Sequence, residues 1–109
     1  MHELGITQEI VAVVTEHARG AKVTRVVLEI GKLTAVLADA VEFCFDLCTE
    51  GTVAEGAKLE IRAVAGRARC RQCGSEMALD QPWGCCPCGS SNLDRLAGDE
   101  LRIKEIEVV

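Results

Sequence analysis

The chain has 109 residues, 49% of them apolar, and a formal net charge of −5. That size allows one modest domain with a small appendage, and the apolar share favours a packed fold over disorder. The acidic balance opposes broad binding to nucleic acid, and no apolar run approaches the roughly 18 residues of a membrane span.

With two Phe, one Trp and no Tyr, the core has to be aliphatic. The first residues lack the basic stretch of a secretory signal and carry Glu3 and Glu9, so a cytoplasmic location is expected. In a reducing compartment the seven Cys read as metal ligands and buried thiols rather than disulfides.

In chain order, Ile6, Ile10, Val13, Val14 and His17 follow helical spacing and predict an amphipathic helix over 4–18, stopped at Gly20. His17, at the end of that row, reads as a partly buried structural residue. Residues 22–30, rich in Val and Ile, predict a buried strand ending at Gly31. Asp39 is placed to cap a second helix running to about Thr49. On it Cys44 and Cys48, spaced i, i+4 in line with Val41 and Phe45, read as core packing. Residues 58–64 alternate, Leu59, Ile61 and Ala63 against Lys58, Glu60 and Arg62, as in a half-buried strand. A last strand is predicted over 100–108, its alternation slipping by one between Ile103 and Ile106.

These elements make an α/β (α+β) domain: a three-stranded sheet with two helices, formed by residues 1–66 with 97–109. Inserted before the last strand is a zinc-ribbon-like module over 67–96, rich in Cys, Gly, Pro, Ser and Asn. Cys70-x2-Cys73 and Cys85-x2-Cys88 supply four thiolates at a spacing that closes a tetrahedron around Zn²⁺. Spacing alone does not separate zinc from iron. Cys86 is the alternative to Cys85. Cys85 keeps the two-residue gap, whereas Cys86 leaves a cramped Cys-x-Cys. Gly74 and Gly89 follow the two pairs and let the backbone turn under the sulfurs. So short a module has too little apolar surface to fold alone, and metal binding supplies its folding energy.

A closed four-thiolate site has no open position for chemistry, and no phosphate loop, serine elbow or suggestive acid pair occurs elsewhere. An enzyme is therefore not expected. Trp83 reads as packing over the module, and Arg67, Arg69 and Arg71 as the solvated face of a strand. The N-terminus is the other candidate. The Met1 amine and the His2 nitrogens form a nitrogen-rich set of the kind that suits Ni²⁺ or Cu²⁺, with Glu3 close by.

Taken together, Met1-His2-Glu3 opening a helix, Val26-Val27-Leu28-Glu29-Ile30-Gly31, Phe45 followed by Glu50-Gly51-Thr52, the paired Cys module and the ending 98–107 resemble the HypA/HybF nickel metallochaperones. The resemblance runs over essentially the whole chain. It implies a nickel metallochaperone for maturation of [NiFe] hydrogenase, with urease as a further client of some members. His2 is then the essential nickel ligand, with the Met1 amine and Glu3 beside it, and Cys70, Cys73, Cys85 and Cys88 hold structural zinc. The implied partners are the GTPase HypB and the hydrogenase large subunit. Two features depart from the family pattern. The second pair, commonly Cys-Pro-x-Cys, is Cys85-Cys86-Pro87-Cys88 here, and Asp39 misses the register of an acidic nickel-site residue found in some relatives. A zinc-ribbon nucleic-acid-binding or regulatory protein and a thiol–disulfide oxidoreductase are the rival readings. The first is opposed by charge and scarce aromatics, and neither accounts for the N-terminus.

Overall fold

A computed structural model describes residues 2–109, the side chain of His2 excepted. Eight elements follow in order: α1 (His2–Ala18), β1 (Val23–Gly31), α2 (Ala38–Cys48), β2 (Lys58–Val64), β3 (Gly66–Cys70), β4 (Glu76–Leu79), β5 (Leu93–Ala97) and β6 (Leu101–Val108). They fall into two units. One comprises Met1–Leu28, Val36–Arg62 and Arg102–Val109; the other comprises Glu29–Ala35 and Ala63–Leu101. The second is larger than the Cys-rich stretch 67–96, because residues 29–35 and the segments flanking that stretch join it.

In the first unit α1 packs on α2. The buried row of α1 is Thr7, Ile10, Val11, Val14 and Ala18, turned from the row expected. Thr7 sits inside because its hydroxyl donates to the Glu3 carbonyl at 2.6 Å, which satisfies the group within its own helix. His17 lies on the exposed side, its Nδ1 2.9 Å from the Val13 carbonyl. Arg19 and Gly20 take positive φ and end the helix.

On α2, Val41 and Phe45 are buried, and Phe45 gains about 1.5–3 kcal/mol from leaving water. Asp39 is not the cap: it lies in the first turn, and the capping position is Leu37, which has no cap from its own side chain. The Glu3 carboxylate accepts the Leu37 N–H at 3.3 Å instead, so an acid brought from α1 meets the positive end of the α2 dipole.

The sheet expected from the sequence forms in the order β2-β1-β6. Central β1 is nearly continuous apolar residue, with Val23, Val26, Val27 and Leu28 fully buried, as a strand covered on both faces requires. Arg25 lies between its neighbours and donates to Glu60 on β2 and Glu107 on β6, 2.6 Å in each case. On β6 the slip is visible as two successive exposed residues, Lys104 and Glu105.

The second unit contains a further antiparallel sheet, order β4-β3-β5. The alternation of Arg67, Ala68, Arg69 and Cys70 makes β3, with Ala68 and Cys70 inward and both Arg outward. Leu33, Ala68 and Leu79 form its apolar core, with Met77 and Leu93 against them. Three glycines permit a close backbone crossing. A Cβ on Gly31 would lie 2.1 Å from the Gly98 carbonyl oxygen, and one on Gly98 2.5 Å from the Gly66 Cα. The backbone bonds Gly31 N–H to Glu100 O and Leu33 N–H to Gly98 O, both 2.8 Å, depend on that approach. Among the described residues, no helix is long and apolar enough to cross a membrane.

Candidate metal centre

Two tight turns present the sulfurs. In the first, Cys70 N–H donates to Ser75 O at 2.8 Å and Gly74 N–H to Cys70 O at 2.9 Å. In the second, Cys86 N–H donates to Ser90 O and Gly89 N–H to Cys86 O, both 2.8 Å. Gly74 and Gly89 carry φ of 79° and 96°, the left-handed conformation that glycine adopts without steric cost. The turns therefore match from their glycines and serines backward, but the second is one residue shorter.

That missing residue changes which sulfurs converge. The sulfurs of Cys70, Cys73, Cys86 and Cys88 all lie within 4.8 Å of one another. Cys86 occupies the place expected for Cys85, and Cys85 is exposed outside the group. Cys86 is the residue that starts the hydrogen-bonded turn, as Cys70 does, and both are buried. Pro87, its φ fixed by the ring, suits a turn this short. Counting residues between cysteines favoured Cys85 because it presumes two turns of equal length.

The geometry suits a tetrahedral ion. Metal–sulfur bonds of about 2.3 Å require sulfurs roughly 3.8 Å apart, and Cys70–Cys88 and Cys73–Cys86 are 3.7 and 3.5 Å apart. The protons are distributed unevenly among these thiols. The Ser75 hydroxyl and backbone, with Cys86, lower the Cys73 thiol to about 6. Cys86 is pushed up to about 12, because burial and the neighbouring thiols outweigh the stabilising Cys88 backbone. Four crowded sulfurs cannot all ionise without a cation among them, and a thiophilic divalent ion removes the conflict. The Gln72 N–H, 3.3 Å from the Cys70 sulfur, adds a donor to the developing charge.

The outer residues of this unit are arranged differently from the sequence reading in one place. Arg67 and Arg69 pair with Glu76 at 3.3 and 3.1 Å, and Arg71 with Asp94 at 2.6 Å. The arginine stripe is thus solvent-facing, as expected, and matched by acids. Trp83, by contrast, does not pack over the module: it is 73% exposed, on the rim of a shallow hollow with Leu79, Pro82 and Arg95.

Of the N-terminal set, Met1 and the His2 side chain lie outside the described residues. Glu3 is half-buried, its carboxylate at the α2 N-terminus. Cys44 and Cys48 are partly buried on α2, and burial followed by the nearby Cys44 raises the Cys48 thiol. Cys48 therefore behaves as a packing thiol, and Cys44 lies at the margin of the buried face.

An α+β unit and a unit with four converging sulfurs in one chain define a metal-handling protein, and the comparisons give its kind. The family described as hydrogenase/urease nickel incorporation, metallochaperone, HypA matches residues 1–108. The hydrogenase maturation factor HypA of Nostoc punctiforme is 66% identical over 99% of this chain and 96% of its own length. That of Geobacter sulfurreducens is 47% identical over 99% of both. The solution structure of the nickel metallochaperone HypA from Helicobacter pylori superposes with a TM-score of 0.73 at 26% identity, covering 98% of this chain and 97% of that one. The chain belongs to the HypA family of nickel metallochaperones.

Proposed function

We propose that this protein carries Ni²⁺ on its N-terminus and delivers it during maturation of [NiFe] hydrogenase, with urease as a second client. The match of the whole chain to the nickel-incorporation family is the observation that carries this reading. The Met1 amine and the His2 nitrogens bind the ion, with Glu3 beside them. Zinc, held by Cys70, Cys73, Cys86 and Cys88, is the resident metal and folds its unit. The protein acts in the cytoplasm as a carrier rather than an enzyme, between a HypB-type GTPase and the hydrogenase large subunit. The rival nucleic-acid reading finds little support in an acidic chain whose arginine stripe is matched by Glu76 and Asp94.

A carrier has to release its cargo. Few protein ligands at a chain terminus hold nickel moderately, whereas a closed cage would trap it. Cu²⁺ outranks Ni²⁺ for such donors, so selectivity comes from partners and metal supply. Nickel binding needs a neutral imidazole, so affinity falls below about pH 6.5.

The test is a Ni²⁺ titration of untagged, zinc-loaded protein beside His2→Ala and a form with Gly added before Met1. Both variants should lose nickel and keep zinc; equal binding by all three would move nickel elsewhere. For zinc, Cys86→Ser should lower the bound metal while Cys85→Ser retains it. The reverse result would restore Cys85 as the ligand.

A further inference from the structure

Helix α2 has two apolar faces, and its core needs one. Val41 and Phe45 point inward. On the outside Phe43 and Leu47 are 68% and 53% exposed and follow helical spacing with Ala40 and the partly buried Cys44 into one stripe, and Leu37, 64% exposed at the capping position, precedes it. A folded surface seldom displays a Phe and two Leu together unless something covers them. Exposed Asp39, Glu42 and Asp46 run along one edge of the stripe, and exposed Glu50 follows in the turn after the helix. Neither α1 nor α2 contains a Lys or Arg. This helical layer is therefore acidic throughout its charged positions.

We propose that this stripe docks a protein partner whose contact surface is an apolar groove bordered by Lys and Arg. Charge selects that occupant. A basic rim meets the carboxylates, whereas a second copy paired antiparallel about a twofold would set two acidic edges side by side. Position then gives the contact a purpose, which rests on the nickel-carrier reading. The stripe is preceded by Leu37, whose N–H is held by the Glu3 carboxylate. A partner seated on α2 is thereby placed next to Glu3, the residue that follows His2 in the chain.

The experiment is calorimetric binding of zinc-loaded, full-length protein to a purified HypB-type GTPase and, separately, to the metal-free hydrogenase large subunit. Phe43→Ser and Asp46→Lys are compared with the unchanged protein, their folding checked by helical dichroism and zinc content. At least one partner should bind. Phe43→Ser should weaken that binding by about tenfold or more, as loss of an interface anchor does. Asp46→Lys and added salt should each weaken it several-fold. Binding undiminished by Phe43→Ser, or strengthened by Asp46→Lys, overturns the proposal. So does self-association of the unchanged protein that Phe43→Ser abolishes. A protein that loads nickel yet binds neither partner overturns the docking surface and leaves the nickel reading. One that docks through Phe43 but takes no nickel at His2 does the reverse.

Discussion

The two units of this chain are held together by different forces. The first buries Phe45, Leu28 and five valines to less than 2% exposure. The second has Leu33, Ala68 and Leu79 for a core and relies on four sulfurs. Three buried apolar side chains, with Met77 and Leu93 against them, do not offset the conformational entropy of the 46 residues of this unit. A metal held by the four sulfurs would, because it crosslinks the chain where there is little to pack. One short sequence thus carries an element with a large packed core and another whose small core is joined by a cysteine cluster fit for a cation.

The sharpest way to break that comparison is to strip the metal. Zinc-finger-like sites contribute on the order of 10 kcal/mol to folding. A strong chelator should therefore abolish amide-exchange protection in β3, β4 and β5 while α1, α2 and β1 keep theirs. Simultaneous loss everywhere would show that the units are not energetically distinct. The converse test is Phe45→Ala, which should cost about 3–5 kcal/mol in denaturant unfolding of the first unit. Its bound metal should stay constant.

A smaller effect is expected from Gly98→Ala. A φ of 90° costs a side-chain-bearing residue about 1–3 kcal/mol, and the new Cβ would also press on the Gly66 Cα. Thermal unfolding of the metal-loaded protein should shift in the second unit first. The smallest effect concerns Glu60, whose carboxyl Arg25, then Arg62, hold below its ordinary range. A depressed folded value means the pair stabilises above about pH 4.3, the unfolded reference, and that this gain is lost as pH falls through the folded value. Arg25→Met should therefore be slightly less stable than the unchanged protein at pH 7. Melting curves should converge in acid.

What could be read from the sequence follows the same division. The first unit announced itself through periodicity: both helices, β1, β2 and β6 stand close to where the apolar pattern put them. Its errors were rotational. Thr7 is buried because it satisfies its own hydroxyl, which apolar counting does not see, and Asp39 lost the capping position to an acid from another helix. In the second unit the Arg67–Arg71 alternation marked β3, but β4 and β5 are too short to carry a period. The cysteines foretold a metal site, while the residue count between them favoured Cys85 and the structure gathers Cys86 with the other three sulfurs. Turn length is set by backbone hydrogen bonds that no spacing rule contains.

Trp83 has an optical consequence. It is the one tryptophan of a chain without tyrosine, and it stands exposed in the four-cysteine unit. Indole emission from this protein therefore comes from a single place. Light absorbed by the first unit falls on phenylalanine alone, and that unit is nearly dark in the near ultraviolet. A fluorescence titration therefore reads the second unit, through the indole on the rim of the hollow with Leu79, Pro82 and Arg95. Moving the indole, by Trp83→Phe together with Phe43→Trp, would place the single emitter on α2 and light the other half instead.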